Sequence, residues 1–363
     1  MKFTGSKIKL LIAGLLCGGL GVVLALCGNP KNMAICIACF IRDIAGAMQF
    51  HSAAVVQYVR PEIIGIVLGS FIISLITKEY RSTAGSSPMI RFVLGVIIMI
   101  GSLVFLGCPL RMIIRMSAGD LNAWIALVGF IAGVLTGILA LKKGFSLGRA
   151  YETNKVNGAV MPAVLVGIFV LSIVATSLFV FSTSGPGSMR ANAFLALGVA
   201  VVFGALAQRS RMCFAGSFRD IFLLKNFDLI TVIAGLFVVL LVFNLVTGNF
   251  NFAMAMQPVA HSNTLWNILG MYVVGFAAIL AGGCPLRQLV LAGQGSSDAA
   301  VTVLGLFAGA AIAHNFKLAG SADTMVEGVF KMGGPGVNGK IAIIVCIVAL
   351  FLIAFVGNKR KAA

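Results

Sequence analysis

Charge is what this sequence has least of. Only 10% of its 363 residues are charged, and ten Asp and Glu stand against 27 Lys and Arg. A soluble domain of this length needs far more charged surface. No hydrophilic stretch is long enough to form a separate water-exposed domain. Histidine is equally sparse: His51, His261 and His314 are scattered and read as incidental, and no His-x3–5-His accompanies the single Cys36-x2-Cys39, which argues against zinc. The fifteen methionines form no Met-x3-Met ladder for a copper pathway, apart from the short Met254/Met256 pair. Gly333-Gly334-Pro335-Gly336 has no strand before it and no Lys-Ser/Thr after it, so it reads as a loop and not a phosphate cradle. No motif calls for a metal or an organic cofactor.

What fills the chain instead is apolar: 60% of residues, with a mean hydropathy of +1.07. That composition defines an all-α polytopic integral membrane protein. Apolar runs able to cross or nearly cross about 30 Å of hydrocarbon fall near 8–27, 62–77, 90–107, 121–141, 160–182, 193–207, 229–247, 265–282, 299–315 and 340–357. The start, three lysines within Met1 to Lys9 followed by Ile8 to Leu26, resembles a signal peptide. No small-x-small cleavage site follows it, and Leu-Ala-Leu before Cys27 is a poor lipoprotein processing sequence, so the run is expected to remain as the first helix. Cys17 and Cys346 lie in apolar segments and are expected to pack as small hydrophobes.

Ten crossings allow a test by charge. With the N-terminus in the cytoplasm, inside segments hold 18 Lys and Arg and outside segments 9. Removing the motif-associated arginines sharpens the ratio to 16 against 6. Both termini are therefore expected in the cytoplasm. The net charge of +17 then belongs to cytoplasmic loops and the Lys359-Arg360-Lys361 tail facing anionic lipid, and not to nucleic-acid binding.

Two motifs recur in the same order. Cys36-x5-Arg42-Asp43 returns as Cys213-x5-Arg219-Asp220, 177 residues on, and Gly107-Cys108-Pro109-Leu110-Arg111 returns as Gly283-Cys284-Pro285-Leu286-Arg287, 176 residues on. The whole chain, 1–363, reads as one membrane domain with repeat 1 at 8–141, a connecting helix at 160–182, repeat 2 at 193–315 and a closing helix at 340–357. Five crossings separate the first helices of the two copies. An odd number inverts the second copy, so Cys36 and Cys108 are expected on an outer half-path and Cys213 and Cys284 on an inner one. Inverted repeats with sites at broken helices near the midplane are a secondary-transporter architecture.

Gly-Cys-Pro-Leu-Arg has a local physical reading. Gly107 or Gly283 ends the preceding helix, Pro109 or Pro285 opens a new one, and Cys108 or Cys284 falls at its N-cap. Helix-start amides and an arginine one turn inside create positive potential at the sulfur. An arginine at membrane depth costs roughly 2.5–3.5 kcal/mol on insertion scales and faces a cavity or a partner, which marks Arg111 and Arg287. The pairs Arg42-Asp43 and Arg219-Asp220 read as salt-bridge glue for short re-entrant helices, with a substrate-facing arginine as the alternative. Cys39 has Gly216 as its counterpart, so the duplication does not preserve a dithiol. Asp43 and Asp220 adjoin arginine and Asp120 and Asp298 read as loop or cap residues, so no acid stands out as a proton or sodium site. Gly65-x3-Gly69, Gly129-x3-Gly133-x3-Gly137 and Gly198-x5-Gly204 are expected to report close helix packing.

These paired motifs, with the length and duplicated hydropathy, resemble the YeeE/YedE family of sulfur-transport membrane proteins, most closely its YedE-type branch associated with selenium metabolism. The resemblance implies a bacterial inner-membrane permease taking up thiosulfate or another small sulfur- or selenium-containing anion. It also implies membrane-embedded cysteines along the path, here Cys36, Cys108, Cys213 and Cys284, and a cytoplasmic TusA-like carrier protein as partner. Two competing readings stand beside it: a membrane thiol oxidoreductase or chalcogen transferase cycling Cys36 and Cys39, and a scaffold that binds a sulfur carrier through the basic stretches 142–155 and 209–225.

Overall fold

The computed structural model describes residues 5–356; the Lys359-Arg360-Lys361 tail and residues 1–4 lie outside the described residues. In chain order the helices are α1 Gly5–Leu26, α2 Ile37–Ala47, α3 Pro61–Ile76, α4 Pro88–Phe105, α5 Pro109–Ser117, α6 Leu121–Lys142, α7 Lys155–Val174, α8 Ala193–Arg209, α9 Phe214–Leu224, α10 Asp228–Val246, α11 Thr264–Leu280, α12 Pro285–Gly293, α13 Ser297–Asn315 and α14 Val337–Phe351. A π-helical turn, Leu352–Val356, follows α14. Strand structure is confined to three short antiparallel pairs in loops, such as Thr324–Val326 with Val329–Lys331. Among the described residues nine segments are long and apolar enough to cross a membrane, and the 16-residue α3 is a shorter apolar helix. The protein is an all-α, multi-pass membrane protein.

The order long, short, long, long, short, long occurs twice, as α1–α6 and as α8–α13. α7 lies between the two sets, and its boundaries correct the expected connecting helix at 160–182. It starts at Lys155, where the Asn154 side chain accepts from the Val156 amide at 3.1 Å. It stops at Val174, and a 3-10 turn, Thr176–Leu178, follows. The apolar run continues beyond the helix because Phe179 and Phe181 turn inward against the core.

Loop contacts sort the helix ends into two sets. At one end Lys7 faces Asp228 at 3.5 Å and Arg209 pairs with Glu79 at 2.6 Å. Here too residues Thr83–Ala84 pair with Tyr151–Glu152, and Lys143 lies over the Phe355 ring. At the other end Lys31 donates to Asn249 and Arg60 to the Met189 and Pro186 carbonyls. Asp120 bridges to Ala253 there, and Asp323 accepts from Ser262. α1 therefore starts at the first end and α8 at the second. The first end, rich in lysine and arginine, is called the basic end below.

The two sets interlock crosswise. α1 lies along α10, α3 along α8, α4 along α13 and α6 along α11, while α4 also meets α11. Glycines permit these contacts: a Cβ at Gly129 or Gly133 would strike the carbonyls of Ile268 or Tyr272, and at Gly65 and Gly69 it would strike α8. Close backbone approach of this kind is how helices associate where lipid gives no hydrophobic drive. Gly198 departs from the expectation, since nothing lies within 4 Å of its Cβ position, while Gly204 does meet Ile66. Replacing Gly133 by leucine should therefore lower thermal stability in detergent by about 1–3 kcal/mol or more, as overpacking does. Gly198→Leu should leave the melting temperature nearly unchanged.

Candidate functional site

The four short helices start at the four motif cysteines. Each cysteine is the N-cap in extended conformation: Cys36 of α2, Cys108 of α5, Cys213 of α9 and Cys284 of α12. Cys36 and Cys213 use their sulfurs as caps, accepting from the amides of Cys39 at 3.4 Å and Gly216 at 3.2 Å. Cys108 and Cys284 do not cap their own helices. Their sulfurs face two helix starts at once: Cys108 the amides of Arg111 in its own helix and Ala38 in the partner helix, Cys284 those of Arg287 and Phe214. Two helix N-termini thus converge on a pair of thiols in each half. The Cys213 and Cys284 sulfurs are 3.9 Å apart, and Cys36 neighbours both Cys108 and Cys39. α2 touches α12 and α5 touches α9.

The glycine of Gly-Cys-Pro-Leu-Arg has a different duty from the one its sequence suggests. The preceding helices end in left-handed residues one position earlier, Leu106 (φ 61°) and Gly282 (φ 83°). Gly107 and Gly283 instead leave room for the arginine four residues on, which folds back over the helix start. A Cβ at Gly107 would lie 2.8 Å from Arg111 Cδ, and at Gly283 2.8 Å from Arg287 Cγ. The motif places a guanidinium back beside the capping sulfur. Helix-start amides and this cation make both half-sites positive.

The two halves differ in how that charge is held. Arg111 is fully buried, and its donors end on neutral groups: Nε on the Asn32 carbonyl at 2.8 Å, Nη2 on Val259 at 2.8 Å, Nη1 on the Leu106 carbonyl and the Cys39 sulfur. Cys39, with no equivalent in the second half, thus supports Arg111, and its own thiol faces the Leu106 carbonyl. Arg287 is only partly buried, and its Nη1 is shielded from solvent with no hydrogen-bond partner among the described residues. A shielded guanidinium nitrogen with no partner among the described residues keeps a free N–H donor beside the two thiols.

The Arg-Asp motifs part in the same way. Asp43 is fully buried between Arg42 at 2.7 Å and Arg60 at 2.8 Å, and Arg60 also stacks on the Phe40 ring. Asp220 has Arg219 alone, at 2.8 Å and about one-third exposed. All of α2 is buried, but in α9 only Phe214 to Ser217 are. The cause is coverage: the loops 48–60, 175–192 and 247–263 fold over the end near α2, while α9 and α10 are joined by three residues at the basic end.

Several contributors had little signal in the sequence. Arg60 had none, being outside the repeated motif. Arg115 was visible as a neighbour of it; in the structure its Nε meets Asp120 at 2.7 Å, and Asp120 also caps α6 by accepting from the Ala123 amide. His51 and His314, which seemed scattered in the sequence, stack at 4.5 Å. Among the described residues no group of three or more His, Cys, Asp or Glu is placed to hold a metal.

Four short helices thus aim their positive ends at thiols in the interior of a multi-pass membrane protein. Residues 209–363 match the family model described as sulphur transport. A stretch of 104 residues is 35% identical to the thiosulfate transporter TsuA of Spirochaeta thermophila, covering 28% of this chain and 30% of that protein. Over residues 209–363 the chain is thus similar to the sulphur-transport family. It aligns with about 30% of the length of the curated relative it matches.

The unequal salt bridges give a direct test. Asp43→Asn strands two buried arginines and should cost about 3–5 kcal/mol, seen as loss of a monodisperse detergent peak or a large fall in melting temperature. Asp220→Asn, which loosens a pair open to water, should cost less than about 1 kcal/mol.

Proposed function

We propose that this protein is a permease for a small, soft anion, thiosulfate or a similar sulfur or selenium species, which passes along Cys36, Cys108, Cys213 and Cys284 between Arg111 and Arg287. The observation that carries this reading is the central pair Cys213 and Cys284, 3.9 Å apart beside an arginine nitrogen with no acceptor. The name of the thiosulfate transporter from Spirochaeta thermophila supports the sulfur-anion class. An anion leaving water would exchange hydration for helix-start amides, guanidinium and thiol S–H donors. Thiols are weak, polarizable donors, suited to sulfur or selenium, and a row of weak sites releases its ion as readily as it binds it. The relay needs no covalent chemistry.

The opposite starting ends of α1 and α8 and the crosswise helix pairs support reading α1–α6 and α8–α13 as inverted repeats. With the basic end in the cytoplasm of a bacterial inner membrane, both termini are cytoplasmic by the positive-inside rule. The half-site around Cys213 and Cys284 then opens inward and that around Cys36 and Cys108 is sealed outward. A TusA-like sulfur or selenium carrier would dock on the basic end, where Arg211, Arg219 and Lys225 border α9.

Proteoliposomes loaded through either face test this. Labelled thiosulfate uptake should be saturable and competed by selenium oxyanions. Arg287→Gln should reduce it by about tenfold or more, the scale of one lost charged hydrogen bond, and Cys213→Ser or Cys284→Ser several-fold. Full uptake by these variants would remove the residues from the path. A persulfide trapped on Cys36 or Cys39 during turnover would replace the permease with a chalcogen transferase.

A further inference from the structure

Glu62 is a buried carboxyl that the anion route does not use. It sits in the first turn of α3 and is 1% exposed. Oε1 accepts from Asn29 Nδ2 at 2.7 Å, and Oε2 is shielded from solvent with no partner among the described residues. Arg60, two residues before it, is not free to serve: its Nε is taken by Asp43, Nη1 by the Met189 carbonyl and Nη2 by that of Pro186. The other charged or titratable groups around Glu62 are Asp43 from α2 and Tyr58 from the loop before α3, with Arg190 of the loop before α8 stacked on Tyr58 at 4.5 Å. A buried carboxylate with one bare oxygen is costly, whereas a carboxylic acid needs only one place for its proton. Helix-start amides and Arg60 pull the other way, toward the charged form.

Its one partner connects it to the outer half-site. Asn29 Nδ2 also donates to the Ala34 carbonyl at 2.9 Å, and Asn29 Oδ1 accepts from the Ala191 amide at 3.0 Å. Asn29 therefore holds the segment 27–36 against α3 and the loop before α8. That segment ends at Cys36, and its Asn32 carbonyl is one of the groups that occupy Arg111. The strap is tied at one point to Glu62 and at another to Arg111.

We propose that Glu62 is a protonation site that gates entry of the anion at the outer half-site. The proposal rests on the permease reading above. The sealed outer arrangement belongs to the protonated acid. When the proton leaves to water at the outer end, the bare oxygens require hydration, Asn29 loosens, and the strap releases Arg111 for an incoming anion. Return of a proton from the same water re-forms the acid, and the strap closes.

The test uses the full-length chain in proteoliposomes and in detergent. Thiosulfate influx by the wild type should fall as the outside is acidified, with apparent affinity dropping by up to about tenfold per pH unit, the limit for one linked proton. Glu62→Gln, uncharged like the protonated acid, should hold the strap closed and give low uptake at every pH, while Glu62→Asp should keep the pH dependence with a displaced midpoint. Independently of flux, infrared difference spectra should show a carboxylic-acid carbonyl band that is absent in Glu62→Gln and shrinks when thiosulfate is added. Wild-type influx that does not depend on outside pH, full uptake by Glu62→Gln, or no such band would overturn the proposal. A band that responds to thiosulfate in a protein that moves none would refute the permease and leave the protonation site standing.

Discussion

The rest of the structure depends on one electrostatic arrangement: four helix starts directed at four sulfurs inside the membrane, with an arginine laid back over two of them. Helix starts carry unbonded amides that lipid cannot satisfy. Such breaks persist only if enclosed, and enclosure is what the long helices supply. α1 against α10, α3 against α8, α4 against α13 and α6 against α11 form the surrounding wall. The glycines along those seams bring the backbones close enough to close it. Cys36 and Cys213 answer one amide each through their sulfurs, and Cys108 and Cys284 face the amides of the neighbouring short helix. The remaining positive potential meets no carboxylate at the thiols, because Asp43, Asp120 and Asp220 are each held by an arginine elsewhere. An uncompensated positive centre in a medium of low dielectric is a demand for an anion.

Much of this was legible in the chain. Hydropathy located the crossings because membrane thickness imposes a length on every one of them. Periodic recurrence located the cysteines, and Pro109 and Pro285 placed them at N-caps because proline fixes the backbone of a first turn. Three things were not legible. The helix at 160–182 was misplaced because Phe179 and Phe181 are apolar for the sake of the core, and hydropathy does not distinguish core from lipid. Gly107 and Gly283 were given the helix-ending role that Leu106 and Gly282 perform, since sequence does not show that the arginine four residues on folds back across them. Glu62 went unweighed because Pro-Glu at a helix start is the ordinary composition of a first turn; only burial and the bare Oε2 separate it from a surface cap.

The two halves share a pattern and differ in their locks. Where the first has Cys39, Arg115 and Asp120, the second has Gly216, Leu291 and Ser296 at the matching offsets. The first-half residues are the ones that hold its closed arrangement: Cys39 faces Arg111, and Arg115 ties α5 to the cap of α6 while stacking on Phe105 at 4.2 Å. The second half keeps the thiols, the glycine and the arginine but none of this bracing. The two halves thus carry the same thiol, glycine and arginine pattern, and the first holds it with more hydrogen bonds. A path with equal barriers at both ends would leave the resting state undecided. On the permease reading proposed above, the extra hydrogen bonds at Arg111 favour a resting protein that is sealed beside α2 and receptive beside α9. On that reading, opening the sealed side is driven either by the anion competing for Arg111 or by a change of charge beside the strap that holds Asn32 in place.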